Sequence, residues 1–458
     1  MGRLGFGPFQ YKLMAISGAG WLTDTLWNIA LADSLPYLEA DFGLNGFLKG
    51  LLGSLIFVGG ALGAVVWGGY SDTRGRRQTF FNTLLMSVLG GCIIAAAPHV
   101  VVLYAGLFVV GFASAGNLVV DGALFSELMP AERRGAMMVL LSVFWSAGGV
   151  VATALAWILL PRMDADGWLA GWRAVFLCCS AICAFFLLTR RGIPESPRWL
   201  LLKGRIDDCY DALAVVAKAN GKTLPSNLKD DLRDEYESFA KRHEADAAVG
   251  LVDRIRQSEA VANLGRLFHR DLLATTILLT IIWALGNFAY TATNLSIVAL
   301  LDHKGVASKH TYRDALIYNV AGIPGSLIGA YIVETFFGRK YTMALATLLT
   351  GVSMVGITLV TDTVQVICLM SAVNLFAMAM YASLYTYTPE VFPTAVRTSG
   401  NGLVAAASRV AAIAAPLVMN VMLESSYDVP LYLMASLMGA CAISSAALPI
   451  ETRGTKLK

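Results

Sequence analysis

Apolar stretches of about 20 residues recur along the whole chain and restrict its fold more than any other feature. A helix of about 20 residues is long enough to cross the hydrocarbon core of a bilayer. Only 15% of the residues are charged, against about 25% in soluble domains. We therefore predict an all-α membrane protein with twelve transmembrane helices, at about residues 13–37, 47–69, 79–97, 100–127, 136–160, 172–190, 271–300, 312–335, 341–360, 363–388, 398–423 and 429–449.

Two sequence patterns each occur twice, and their matched residues are 263 positions apart in both, as in Gly75 and Gly338 or Glu127 and Glu390. GYSDTRGRR at 69–77 recurs weakly as VETFFGRK at 333–340. ELMP at 127–130, followed by Arg134, recurs as EVFP at 390–393, followed by Arg397. Self-similarity at a fixed period indicates a repeated architecture. We therefore predict two pseudo-symmetric six-helix bundles, formed by residues 1–190 and 271–458.

Residues 191–270 interrupt the apolar pattern with many charges. This segment begins with PESPRWL at 194–200 and later alternates charges at helical spacing, as in KDDLRDE at 229–235. One interpretation is a set of short cytoplasmic helices that joins the two bundles. The other is a plain linker, because charge runs usually mark a solvated face.

Lysine and arginine in the short connections predict the orientation. The side that contains both termini holds Arg74, Arg76, Arg77, Arg133, Arg134, Arg339, Lys340, Arg397, Arg453, Lys456 and Lys458. The opposite side holds fewer, namely Lys49, Arg162, Lys304, Lys309 and Arg313. Because cytoplasmic loops carry the excess of basic residues, we expect both termini in the cytoplasm.

The sequence gives no indication of an enzyme, a metal site or a cofactor. The glycine-rich stretches at 59–63, 68–69 and 111–116 follow no predicted strand, and no Gly-Lys-Ser/Thr is present, which argues against nucleotide-driven transport. Small residues of this kind allow close helix packing. The seven cysteines have neither a disulfide nor a zinc spacing. The net charge of +3 is spread over short connections, so nucleic acid is not an expected partner.

Several motifs together resemble the major facilitator superfamily over nearly the whole chain. The segment 69–77 matches its cytoplasmic signature, G-x-x-[DS]-[RK]-x-G-[RK]-[RK], except that Thr73 stands where a basic residue is usual. PESPR at 194–198 matches the sugar-porter exit from the sixth span, and PEVFPTAVR at 389–397 matches the exit from the tenth. GNLVVDGALF at 116–125 and the stretch 399–410 resemble the branch of synaptic-vesicle-glycoprotein-like proteins and organic anion and cation transporters. The resemblance implies alternating-access transport of a small solute and leaves the substrate open.

The charged residues of these motifs are candidates for a cytoplasmic gate. Alternating access rocks one half against the other, so some ion pairs must hold one state and break in the other. Acids recur at matched positions in both halves, which favours this interpretation over simple topology signals and helix caps. The predicted gate residues are Asp72, Arg76, Glu127, Arg134, Glu195, Arg198, Glu334, Arg339, Glu390 and Arg397.

A polar stripe on the first span predicts a coupling site. Ser17, Trp21, Asp24 and Asn28 are spaced so that they lie on one helix face. Asp24 lies near the middle of the span, where a bare carboxylate is costly. Such a residue either takes up a proton or has a cationic partner. The stripe therefore predicts a proton-coupling carboxylate, with a helix-packing ion pair as the alternative.

Two further charges are predicted inside the bilayer. On the fourth span, Asp121 follows Asn117 by one helical turn and lies close to the cytoplasmic end, so it fits either the cavity or the gate. Arg409 lies in the middle of the eleventh span. Because a guanidinium cannot lose its charge, Arg409 needs an anion. That anion is either Asp24 or a carboxylate of the substrate, and the arginine resembles one in the organic anion branch.

Aromatic and amide side chains complete the predicted cavity. Tyrosine and tryptophan provide flat apolar contact and one hydrogen bond, which suits a small ring or short-chain solute. The same side chains also fit ordinary helix packing. The predicted substrate-binding and coupling residues are Asp24, Asn28, Asn117, Asp121, Trp145, Asn287, Tyr290, Asn294, Tyr381, Tyr385 and Arg409.

The sequence thus favours a secondary transporter, a proton-coupled symporter of a small organic anion that works as a monomer in the lipid bilayer. Two alternatives stay open. PESPR at 194–198 favours a sugar or another neutral solute. A transport-dead receptor on the same fold is disfavoured by Asp24, by the paired gate motifs and by the absence of an added signalling domain.

Overall fold

A computed structural model describes residues 5–130, 137–138, 140–161, 170–225, 227–246, 265–303, 308–393 and 396–453. These residues form helices and contain no β-strand. The helices are α1 (Pro8–Phe42), α2 (Gly46–Arg74), α3 (Arg76–Ala95), α4 (Val100–Leu128), α5 (Val143–Leu159), α6 (Gly171–Thr189), α7 (Pro197–Leu202), α8 (Ile206–Ala219), α9 (Leu228–Asp246), α10 (Arg270–His303), α11 (Ser308–Val333), α12 (Gly338–Leu359), α13 (Thr363–Val391), α14 (Arg397–Leu423) and α15 (Asp428–Ala447).

Helices α1 to α6 and α10 to α15 coincide with the twelve predicted spans, and the predicted all-α membrane fold is confirmed. Ten of them are long and apolar enough to cross a bilayer. The other two are α1, which carries several acidic residues, and α5, which has 17 residues. Helix α1 exceeds the predicted 13–37 because Pro8 fits a first helical turn and Gly43 ends the helix in the left-handed region, at φ 62°.

Two groups of helices pack mainly among themselves. In the first half, α4 packs against α2 and α3, and α1 packs against α5. In the second half, α13 packs against α11 and α12, and α10 packs against α14 and α15. The helices of the connecting segment lie on the first half, where Trp199 Nε1 donates to the Asp72 carbonyl at 3.0 Å. The described part of this segment contains the helices α7, α8 and α9, joined by short non-helical stretches.

Among the described residues, the two halves meet mainly where α2 packs against α14, α5 against α11 and α1 against α10. We call the end where α2 passes into α3 the signature side, and the end where α1 passes into α2 the far side. Ser54 donates to the Ile413 carbonyl at 2.6 Å, and Gly46 N–H donates to Glu424, both toward the far side. A Cβ added at Gly50 would lie 2.7 Å from Leu417 Cα, so glycine allows this close approach. The far-side ends of the halves are thus packed together.

Candidate functional site

A cavity of about 330 Å³ lies between the two halves and is lined by side chains from α1, α2, α4, α5, α10, α13 and α14. Transporters built from repeated halves bind their substrates between the repeats, near the middle of the membrane, and the cavity lies between the two repeats of this chain. Ser114, Trp283 and Ser408 contribute to the lining. Of the predicted residues, the cavity brings together Asp24, Asn28, Trp145, Asn287, Tyr290, Asn294, Tyr381, Tyr385 and Arg409.

Asp24 is held at the edge of this cavity by groups from its own half. Trp145 Nε1 on α5 donates to Asp24 Oδ2 at 3.2 Å. Asn28 Nδ2 donates to the Asp24 backbone carbonyl at 2.8 Å, and Asn28 Oδ1 has no hydrogen-bond partner among the described residues. The carboxylate is therefore oriented by an indole donor and is accessible from the cavity.

Arg409 on α14 lies in the same cavity and interacts electrostatically with Asp24 and Tyr385. None of the ion pairs within the described residues includes Arg409, so no carboxylate oxygen there lies within 4.0 Å of its guanidinium nitrogens. On the opposite wall is Gly60, where an added Cβ would lie 3.6 Å from one guanidinium nitrogen. The arrangement leaves the charge of Arg409 available to an anion in the cavity.

Aromatic rings form much of the wall on the second half. The Trp283 and Tyr385 ring centroids are 4.9 Å apart in an edge-to-face arrangement, and those of Tyr290 and Tyr381 are 5.2 Å apart. Trp145 reaches across from the first half, 5.7 Å from Tyr385. This spacing is typical of favourable aromatic pairs. The rings therefore form a connected surface that spans both halves.

Asn287 positions part of this surface. Tyr381 donates to Asn287 Oδ1 at 3.2 Å, while Asn287 Nδ2 donates to the Ser408 carbonyl at 3.0 Å. The amide thus links α10, α13 and α14 next to Arg409. Asn294 Oδ1 accepts in the same way from Tyr318, at 3.2 Å. Both amides have protein partners, which suits a role in orienting the wall.

Asn117 and Asp121 do not line the cavity. Both are fully buried, and Arg190, at the end of α6, lies against them. Its guanidinium is 2.8 Å from Asp121 Oδ2 and 3.3 Å from Asn117 Oδ1, and it covers the Phe80 ring at 3.6 Å. A charge buried this deeply needs such a partner. Arg190 was not predicted, because its position after a long apolar run gives no sign that it folds back into the bundle.

In the first half, the predicted gate residues surround the start of α3. Arg76 pairs with Asp72 at 2.5 Å and approaches Glu127 at 3.6 Å. Glu195 accepts from the backbone N–H groups of Arg76 and Arg77 at 2.9 and 3.0 Å. Acidic groups stabilise a helix start because of the exposed N–H groups and the helix dipole. These contacts join α2, α3 and α4 to one another and to the connecting segment.

The second half repeats this arrangement around the start of α12. Arg339 pairs with Glu334 at 3.0 Å and with Glu390 at 3.1 Å. Glu451 accepts from the backbone N–H groups of Arg339 and Lys340, each at 2.9 Å. Glu451 is a residue that sequence reasoning missed. The sequence feature that could have indicated it is PIETR at 449–453, which weakly resembles PESPR at 194–198.

The remaining gate residues are placed differently. Arg134 lies outside the described residues. Arg198 is exposed on α7. Arg397, at the start of α14, donates to the Phe392 carbonyl at 3.3 Å and has further contacts.

Known proteins resemble this chain over its full length. The family model described as "Sugar (and other) transporter" matches residues 5–458. The niacin transporter NiaP of Acinetobacter baylyi is 29% identical over 469 residues, covering 100% of this chain and 97% of that protein. Organic cation/carnitine transporter 7 of Arabidopsis thaliana is 28% identical over 478 residues, covering 99% of this chain and 94% of that protein. The inward open conformation of the xylose transporter XylE from E. coli has a TM-score of 0.76 at 16% identity and 98% coverage of both chains, a likeness of fold.

Proposed function

Because the chain belongs to the sugar (and other) transporter family of the major facilitator superfamily, we propose that it carries a small aromatic carboxylate in symport with protons. Family membership makes it a multi-pass membrane transporter and confirms the resemblance seen in its motifs. The substrate class, the proton coupling and the orientation are our proposal.

The observation that carries this proposal is the environment of Arg409. Its guanidinium lies beside connected aromatic rings and has no ion pair within the described residues. A planar guanidinium binds a carboxylate through two parallel hydrogen bonds. Stacking of an aromatic ring on Trp283, Tyr385 or Trp145 adds apolar contact. The niacin transporter among the relatives is named for a small aromatic substrate, which agrees with this chemistry.

Asp24 supplies the coupling in this proposal. It shares the cavity with Arg409, and an ionised Asp24 would compete with the substrate for that charge. A proton on Asp24 removes the competition, and the substrate carboxylate then neutralises Arg409. Binding of an anion and uptake of a proton are thereby favourable together. The halves can close around the loaded cavity at lower cost because the charges inside it are balanced.

The ion-pair clusters at the signature side lie within their own halves in this structure, and we propose that they form the gate when the halves meet on this side. We place this side and both termini in the cytoplasm, since the short loops there carry the excess of lysine and arginine. The clusters around Arg76 and Arg339 fix the starts of α3 and α12 within their own halves, so each half moves as a unit. One chain contains both halves of the site, so a monomer is sufficient.

Uptake into proteoliposomes tests the proposal with matched solutes. Nicotinate and benzoate are compared with nicotinamide and benzamide, which keep the ring and lose the carboxylate. We expect saturable uptake of the acids only. The acids should accumulate inside the proteoliposomes when the outside solution is acidic. Uptake of the amides at the same rate would contradict the anion proposal. Binding of the acids without uptake would indicate a receptor.

A neutral solute such as a sugar is the second candidate. It is favoured by Asn28 Oδ1, a buried acceptor without a donor among the described residues, at the wall of the cavity. A sugar hydroxyl could supply that donor. Xylose therefore belongs in the uptake panel, and uptake of xylose without uptake of nicotinate would favour this candidate.

A further inference from the structure

Asp33 is a second buried carboxylate, and it lies away from the central cavity. It is on α1 and is 0% exposed. The Thr153 hydroxyl on α5 donates to Asp33 Oδ2 at 2.8 Å, whereas Oδ1 has no hydrogen-bond partner among the described residues. No ion pair of the described residues includes Asp33. One hydroxyl is weak compensation for a buried negative charge.

The second half of the protein closes over this carboxylate. Asn319 Nδ2 on α11 donates to the Thr153 hydroxyl at 3.0 Å. Tyr312, also on α11, donates to the Asp33 backbone carbonyl at 3.0 Å. These contacts cross the interface between the halves. They hold only while α5 and α11 are packed together, so separation of the two helices would admit water to Asp33.

The titratable groups near Asp33 bring no positive charge. Tyr312 and Cys179 interact electrostatically with it from α11 and α6, and Tyr37 on α1 interacts with Tyr312. Asp302, at the end of α10, is a further acid that acts on Tyr312. The surroundings therefore favour a neutral Asp33 whenever the interface is closed.

We propose that Asp33 binds a proton when the far side closes and returns it to the far-side solution when that side opens. This rests on the alternating-access transport proposed above, because it requires a state in which α5 and α11 separate. The closed state binds the proton more tightly than the hydrated open state, so acidification favours closing. Asp33 does not line the central cavity, so this proton stays behind while the one on Asp24 is transported. Asp33 would thus set the equilibrium between the far-side-closed and far-side-open states. The number of protons transported per substrate would stay unchanged.

Distance measurement between spin labels tests the proposal. Labels at Phe47 and Ser425, both exposed at the far side, report whether the halves are together. In the protein used for labelling, the more accessible cysteines are replaced by serine so that they do not react with the label; these are Cys92, Cys178 and Cys368. In the otherwise unchanged protein we expect the closed-to-open ratio to rise as pH falls, by up to about tenfold per pH unit for one linked proton.

Asp33→Asn should remain closed at all pH values tested. Glu39→Gln is the matched control, since Glu39 is an acid on the same helix with a side chain 48% exposed, and it should keep the pH dependence. Asp24→Asn should also keep it, although accumulation of substrate is lost. The proposal would be overturned if the distance distribution did not change with pH in the labelled protein that keeps Asp33. An unchanged pH response in Asp33→Asn would overturn it as well.

A variant of the hydrogen-bond donor covers the case in which Asp33→Asn does not fold. Thr153→Val removes the donor to the carboxylate, which disfavours its ionised form, and it also removes the acceptor of the Asn319 contact. Asn319→Ala removes that contact alone and is therefore the reference. We expect the pH midpoint of closing to be about one unit higher in Thr153→Val than in Asn319→Ala. Equal midpoints in the two variants would contradict the role of Asp33. These distance measurements use no substrate. A failure of the anion proposal would therefore appear only in the uptake experiments, and a failure of the Asp33 proposal only here.

Discussion

Glu195 and Glu451 hold equivalent positions in the two halves. Each carboxylate accepts from two successive backbone N–H groups at the start of a helix, α3 for Glu195 and α12 for Glu451. A glycine with positive φ lies at each helix start: Gly75, at 104°, precedes α3, and Gly338, at 68°, is the first residue of α12. The last described segment of the chain thus returns to stabilise the second half as the connecting segment stabilises the first.

Glu451→Gln should lower the stability of the protein. The substitution keeps the shape of the side chain but removes the charge that faces the exposed N–H groups of α12. We expect a loss of about 1 kcal/mol, seen as a lower thermal unfolding midpoint. Glu195→Gln should have a similar effect at α3. Glu237→Gln, at an exposed position of α9, is the control and should leave the midpoint unchanged.

Gly20→Ala should disrupt the first half through the buried pair of Asp121 and Arg190. A Cβ at Gly20 would overlap the Asp121 carboxylate and come within 2.6 Å of the Arg190 guanidinium. Displacing one partner of a buried ion pair costs about 3–5 kcal/mol. We expect poor folding or a much lower unfolding midpoint. Gly68→Ala is the matched control, because nothing lies within 4 Å of its added Cβ, and normal stability of Gly20→Ala would contradict the packing described for this pair.

The spans could be predicted from the sequence because the length of an apolar run is a local property, and nine of the eleven predicted binding residues line the cavity. Asp24 and Asn28 share a helix face whatever the other helices do. The partner of Asp121 could not be predicted in this way, since it depends on how the end of α6 folds back. The setting of Asp33 depends on contacts between the halves, which periodicity within one helix does not contain.

Asp24→Asn should uncouple transport from the proton gradient. The amide keeps the size of the side chain and its contact with Trp145, but it cannot gain or lose a proton. We expect acid-driven accumulation of nicotinate to fall to the level of equilibration, while exchange of substrate across the membrane is partly retained. Asp41→Asn, on the same helix near the far side, is the control and should accumulate normally. Accumulation that survives in Asp24→Asn would place the coupling elsewhere.

Arg409→Lys separates the anion proposal from the neutral-solute alternative. If the only anion for Arg409 were Asp24, the pair would be neutral and the cavity would not select anions. If the anion is the substrate, a point-charge ammonium is a poor replacement for a planar fork that holds both carboxylate oxygens. We expect Arg409→Lys to weaken nicotinate binding at least about tenfold, or about 1.4 kcal/mol, and Arg409→Ala to weaken it further. Arg205→Lys, at a half-exposed site in the connecting segment, should bind as the parent does. Calorimetric titration measures the nicotinate affinity of the three variants. If that affinity does not change when Arg409 is replaced, and a sugar binds tightly, the neutral-solute alternative is favoured.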